Sequence, residues 1–337
     1  MRMGRSTGCV ALAVVVAVLA MAGPRSAAAD AKVPSAAPAP RYPLGIRVLD
    51  LEDPARSTPA DPEGQTPVPG GPGRALATTV LYPADAGTRG SAPTPDAPAR
   101  PGRFPLVLFS GGAPGLPADY LPLLTSWAAA GYVVAAPQYP VSSLSGPTDV
   151  AWSDQRDQVR DARFVLHRLL ALDRAPARRG GLGGIVDRER IAAAGHSMGG
   201  LTTLALVSEC CREPRIDASM VLAGVRDGEA GPPIRDVRGP VLFVHAVRDY
   251  AVLFTQSEAG YEAARPPKYL LEVRIPFGGA LSHVLPFLPG WGFEVANRVA
   301  AVTDAFLDAY LGPERGAAAR IRGAAAGSDL LVLRGRG

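Results

Sequence analysis

The sequence predicts an α/β domain, a mostly parallel central sheet covered by helices on both faces. Three observations predict it. Short, uniformly apolar runs such as FPLVLF (104–109) and PVLFVHA (240–246) recur along the chain. Segments of helical period separate them. At 337 residues and 47% apolar content, the chain is long enough and apolar enough for one large core. A strand buried on both faces needs no polar alternation, so its run reads as continuous.

Residues 1–29 fall outside the fold. Arg2 and Arg5 give a positive start, Cys9 to Ala22 is an unbroken apolar run, and Ala27-Ala28-Ala29 offers a small-residue cleavage site before Asp30. That is the pattern of a secretory signal peptide, and the run is short for a membrane span. A retained anchor is the alternative. A lipoprotein signal fits less well, because Cys9 precedes the apolar run. The expected localisation is therefore secreted, with no stable membrane anchor after processing. Removal deletes Arg2, Arg5 and Arg25 and no acid, so the formal charge falls from +4 to +1. The basic balance thus belongs largely to the targeting segment, and no nucleic-acid partner is implied. Of three cysteines, the neighbours Cys210 and Cys211 remain. Adjacent cysteines cannot staple distant segments; two thiols are expected in preference to a strained vicinal or intermolecular bridge.

Residues 30–43 are Pro/Ala-rich and read as a flexible leader. The domain is expected over 44–312. Strands are predicted at 44–51 and 75–82, with Pro/Gly-rich surface loops near 53–73 and 83–103. A strand at 104–109 leads to a helix near 117–130, a strand at 132–136 and a helix over 153–172. Further strands are expected at 190–194, 218–224, 240–246 and 269–275, and a final helix at 291–311. The Arg/Gly/Ala-rich tail, 313–337, is expected to be partly disordered.

Gly195-His196-Ser197-Met198-Gly199 matches G-x-S-x-G. The pattern alone is weak: Gly4-Arg5-Ser6-Thr7-Gly8 matches it inside the targeting segment. Context separates the two. Ser197 stands between a strand and a helix, where a sharp turn strains the serine backbone and only small neighbours fit. Gly195, Gly199 and Gly200 supply that room, and the helix start turns free N–H groups toward a developing negative charge.

A serine hydroxyl needs a base and an orienting acid. Four histidines are available. His167 precedes Ser197 within a helix, His196 adjoins the serine and cannot fold back to it, and His245 lies inside a strand. His283 follows the strand at 269–275 and is the expected base. The acid should lie just past the strand at 240–246, where Asp249 stands; Asp227 and Asp236 compete. The oxyanion donors should be the N–H of Met198 and one from the loop Ser110–Gly115. Ala113 is the first choice and Gly112 the second; Pro114 has no N–H and is excluded. No zinc spacing, dinucleotide fingerprint or phosphate loop occurs, so neither metal nor cofactor is expected.

Together, FPLVLFSGG, GYVVAAPQYP, RIAAAGHSMGG, HAVRDY and GGALSHVLPF resemble the α/β-hydrolase superfamily over roughly residues 70–311. Within it the chain is most similar to secreted bacterial esterases of the dienelactone-hydrolase-like, chlorophyllase-like and polyester-hydrolase group. Two departures stand out. Ser197 occupies the position that is cysteine in dienelactone hydrolases, and Ala113 the position that is aromatic in polyester hydrolases. The resemblance implies hydrolysis of a small-molecule or extended ester through an acyl-enzyme. Acyl transfer by the same triad is the alternative, separated by product analysis with an acceptor alcohol. A non-catalytic binding protein on the same scaffold is the other, separated by a fluorophosphonate probe. The segment 225–239 is too rich in Gly, Pro and charge for a pair of packed cap helices, so no large cap and an open cleft are expected.

Overall fold

The computed structural model describes residues 42–61, 67–88, 92–145, 152–174, 181–224, 236–288, 294–312 and 318–336. The predicted signal peptide, nearly all of the leader and most of the 225–239 segment lie outside them.

In chain order the elements are β1 (Leu44–Asp53), β2 (Arg74–Pro83), β3 (Thr94–Pro95), β4 (Phe104–Ser110), α1 (Leu121–Ala130), β5 (Val133–Pro137), α2 (Gln155–Arg174), β6 (Val186–His196) and α3 (Met198–Val207). Then follow β7 (Ala218–Leu222), β8 (Val241–Ala246), α4 (Phe254–Ala263), β9 (Lys268–Val273), α5 (Ala280–Val284), α6 (Glu294–Leu311), α7 (Ala318–Ala325) and β10 (Leu331–Arg336). The ten strands form one sheet in the order β10-β9-β8-β7-β6-β4-β5-β2-β1-β3. Neighbours from β5 through β9 are parallel; β2 joins β5, β1 joins β2 and β10 joins β9 antiparallel.

Alternate residues of the central strands serve two cores. Val107 and Phe109 face α1, α6 and α7, whereas Leu106 and Leu108 face α2 and the near side of α3. Leu204 and Val207 of α3 continue the second layer onto α4. This double burial is the reason that these strands read as continuous apolar runs. Among the described residues no separate cap domain stands over the sheet.

The tail beyond the expected domain carries regular structure among its described residues: α7 buries Ile321 and Ala325 against the α6 side of the core, and β10 pairs with β9 over six residues. Its composition conceals a short amphipathic helix and an edge strand held by long-range pairing. The segment bearing His283 is also neither the approach to the last helix nor past the last strand, since α7 and β10 follow. Cys210 and Cys211 form no disulfide with each other.

A buried polar network, not foreseen from the sequence, links β2 to the elbow. Arg74 is fully buried and bonds Asp161 at 2.8 Å and Asp154 at 2.5 Å. Burial disfavours its charge, but the two carboxylates outweigh that and raise its pKa above the ordinary value. Asp154 accepts the Ser142 N–H at 2.9 Å, Gln158 donates to Ser142 Oγ at 2.7 Å and lies 3.3 Å from Met198 Sδ, and Thr202 donates to Gln158 at 2.6 Å. Arg74→Met leaves the buried Asp154 without its cation and Asp161 with Arg56 alone. It should cost about 3–5 kcal/mol and lower the thermal midpoint by about ten degrees. Calorimetry checks this; an unchanged midpoint would show that the network adds nothing to stability.

Candidate active site

The site is built on the C-terminal ends of the parallel strands, where an open α/β sheet presents its loops. β6 ends at His196, α3 begins at Met198, and Ser197 makes the turn between them with φ 53° and ψ −120°. A non-glycine residue held there stores about 1–3 kcal/mol of strain. Packing enforces it. A Cβ on Gly195 would stand 2.1 Å from the Gly199 oxygen, and one on Gly199 would stand 2.0 Å from the Ser110 oxygen. The Ser197 N–H is anchored to the Leu222 carbonyl at 2.9 Å. Ser197 itself is half-buried, while His196 and Met198 on either side are buried.

β8 ends at Ala246, and Asp249 lies three residues on, 2% exposed. All of its acceptor capacity is used. Oδ1 takes the N–H groups of Ala251 and Val252 at 2.8 and 3.0 Å. Oδ2 takes His283 Nδ1–H at 2.6 Å and His245 Nε2–H at 3.1 Å. Burial alone would raise the carboxyl; the hydrogen bonds from His245 and His283 outweigh it and hold the carboxyl well below the usual carboxylate range. Because the carboxylate can only accept, Nδ1 of His283 carries a hydrogen, and a neutral ring has its lone pair on Nε2. His283 sits on α5, with its main-chain oxygen 2.9 Å from His196 Nε2 and its ring centroid 4.6 Å from that of His196. Ser197 and Asp249 thus follow the C-terminal ends of β6 and β8, and His283 lies on the short helix α5 after β9.

The loop after β4 lies against the same turn. A Cβ on Gly112 would meet Ser197 Cβ at 3.0 Å, so this loop approaches the serine as closely as a glycine allows. The Gly112 N–H is spent on Tyr120 Oη at 2.9 Å. Ala113 is half-buried. Met198 opens α3, so its N–H has no partner within the helix. The other expected residues are placed elsewhere. His167 is exposed on α2, Asp236 bonds Arg238 at 2.7 Å and Arg265 at 2.6 Å, and Asp227 lies outside the described residues.

Sequence reasoning missed His245. It is fully buried, donates from Nε2 to Asp249 and to the Val252 carbonyl at 2.9 Å, and its Nδ1 lies 2.7 Å from Ser257 Oγ. Its spacing of four from Asp249 was visible, but a strand followed by a turn gives no fixed face to that spacing.

The segments that carry Asp249 and His283 present an apolar rim. Val247, Tyr250 and Leu253 are exposed beside Asp249, and Phe277, Leu281 and Val284 beside His283. The two loops are joined. Arg248 donates to the Pro276 carbonyl at 2.8 Å, Ser282 Oγ donates to the Arg248 carbonyl at 2.8 Å, and Tyr250 lies against Gly278.

Sheet order, helix layers and the turn at Ser197 define an α/β-hydrolase fold. No protein-family model matches the chain, and no curated protein sequence does. Among solved structures it is similar to a ferulic acid esterase from Streptomyces cinnamoneus, at 25% identity and a TM-score of 0.58. The match covers 84% of this chain and 94% of that one. Among the described residues no helix is long and apolar enough to cross a membrane, and no group of three or more His, Cys, Asp or Glu is placed to hold a metal.

Proposed function

We propose that the protein is a secreted serine hydrolase that cleaves carboxylic esters through an acyl-enzyme. One observation carries the reading: a half-buried serine on a strained elbow, preceded by His196, whose ring touches a second histidine, His283, that donates its Nδ1–H at 2.6 Å to a buried carboxylate. The likeness to an esterase supports ester hydrolysis as the general chemistry. Ser197 Oγ attacks the ester carbonyl as His283 Nε2 takes its proton, and Asp249 stabilises the imidazolium. The N–H groups of Met198 and Ala113 receive the oxyanion. Ala113 takes precedence over Gly112, whose N–H is already donated to Tyr120. The alcohol leaves with the proton from His283. Water then attacks the acyl-enzyme, gives a proton to His283, and the acid departs as the proton returns to Ser197. A fluorophosphonate probe tests the reading: it should label the wild-type chain at Ser197, and a wild-type chain left unlabelled would exclude it.

The mature chain begins near Asp30 in this reading. N-terminal sequencing of protein recovered outside the cytoplasmic membrane should start there. An intact residue 1 on membrane-bound protein would favour a retained anchor instead.

The rim of six exposed apolar side chains suits an ester with an apolar acyl or alcohol group, presented as a small or extended soluble molecule. With the rim already exposed, no lid must move to uncover it. Rate should therefore rise smoothly with the concentration of a sparingly soluble ester and level off. A sharp jump at the solubility limit would reveal interfacial activation and a cover over the cleft.

A further inference from the structure

His196 takes no part in the acyl-transfer steps, yet it is 2% exposed and both its ring nitrogens are engaged. Chemistry fixes the direction of each bond. The His283 carbonyl can only accept, so His196 Nε2 carries the hydrogen of that 2.9 Å contact. A neutral ring then has its lone pair on Nδ1, and Tyr120 Oη–H donates to it at 2.9 Å. The Tyr120 oxygen accepts the Gly112 N–H, also at 2.9 Å. One unbroken line thus runs from the loop after β4, through Tyr120 and His196, to the main chain at His283. Every donor in it meets an acceptor.

The line holds only while His196 is uncharged. A second ring hydrogen would turn the Tyr120 O–H away and leave that buried hydrogen without the acceptor it has here. The surroundings keep the ring neutral. Burial, then the charge of His283, push its pKa down to about 3. Of the other titratable groups, Asp249 pulls the opposite way, His245 adds to the lowering, and Tyr120 is buried, with a hydroxyl pKa above its ordinary value. Phe287 closes a further side, its ring centroid 5.0 Å from that of His196.

We propose that His196 and Tyr120 are positioning residues. Through the His283 carbonyl and the Gly112 N–H they hold the base and the oxyanion loop in one frame. Asp249 fixes the ring of His283; His196 fixes its main chain. The inference rests on the reading of His283 as the base.

The test uses the full chain and three variants, His196→Leu, His196→Gln and Tyr120→Phe. It measures kcat and KM on a soluble ester, and the downfield proton resonance of the His283–Asp249 hydrogen bond. His196→Leu should lower kcat about a hundredfold with KM within about threefold, and should broaden the downfield resonance. His196→Gln places an amide donor near the lost Nε2 and should recover kcat to within about fivefold of wild type. Tyr120→Phe should lower kcat about tenfold and weaken the resonance. Wild-type kcat and resonance in His196→Leu would overturn the proposal, as would a His196→Gln variant no better than the leucine. Should the leucine variant fail to fold, Tyr120→Phe decides, and wild-type values there overturn it. A wild-type chain that shows the resonance but hydrolyses no ester would count against the esterase reading, while the resonance series still tests the positioning.

Discussion

A Ser197→Ala chain should fold as the wild type does and lose about 10⁶ of its turnover of a short p-nitrophenyl ester. The two halves of that expectation have separate causes. Alanine suffers the same steric penalty as serine at φ 53°, and the Ser197 N–H anchor to the Leu222 carbonyl is a main-chain bond that the substitution leaves in place. The hydroxyl is the only group removed, and in this mechanism it is the atom that becomes acylated. Circular dichroism and thermal melting check the first half; ester hydrolysis and loss of fluorophosphonate labelling check the second. Near-normal turnover with an intact fold would remove Ser197 from the nucleophile role and send the search to another hydroxyl.

The second large effect is expected at Asp249. Both of its oxygens accept two N–H groups each, so four donors converge on one carboxylate. An asparagine must point its amide nitrogen at one of those pairs. Facing the main-chain N–H groups, it opens the turn after β8. Facing the imidazoles, it sets donor against donor and drives His283 toward the tautomer with its hydrogen on Nε2, which cannot take the serine proton. Either way Asp249→Asn should lower kcat by about 10⁴, with KM little changed. Stability has a pH signature of definite sign. The folded carboxyl is held below its unfolded value, so its contribution is fully present above about pH 4 and is lost as pH falls toward the folded value. The wild type should therefore lose thermal stability below about pH 4 more steeply than the asparagine variant. Parallel curves would show that the four hydrogen bonds do not favour the ionised form.

Strands β4, β5 and β8 were legible because helices cover both of their faces, and a doubly buried strand announces itself as an apolar run. β6 was found too short. Its first residues, Val186 to Glu189, include partly exposed and charged side chains, and the pairing of Phe104 with Val186 and of Pro105 with Asp187 joins them to β4. Ser197, Asp249 and His283 could be proposed from chain order, since each follows or adjoins a recognisable strand. The groups that hold them could not. His245 reaches Asp249 only because the chain turns back after β8. Tyr120 meets His196 across 76 positions of sequence, and Arg74 meets Asp161 across 87. Such partners are chosen by tertiary packing, which leaves no local period to read.

The strand formed by Leu331–Arg336 lies on the far side of β9 from β8, the strand whose end leads to Asp249. It covers a row of backbone donors and acceptors that would otherwise face water, and Arg334 pins it to Glu258 at 2.8 Å. A chain clipped before residue 331 would expose the whole length of β9, a six-residue segment (KYLLEV) with high strand propensity. Such an open border is a template for pairing with another molecule's border. Proteolysis at the C-terminus would thus show first as self-association and loss from solution, with the serine, histidine and aspartate all still present in the chain.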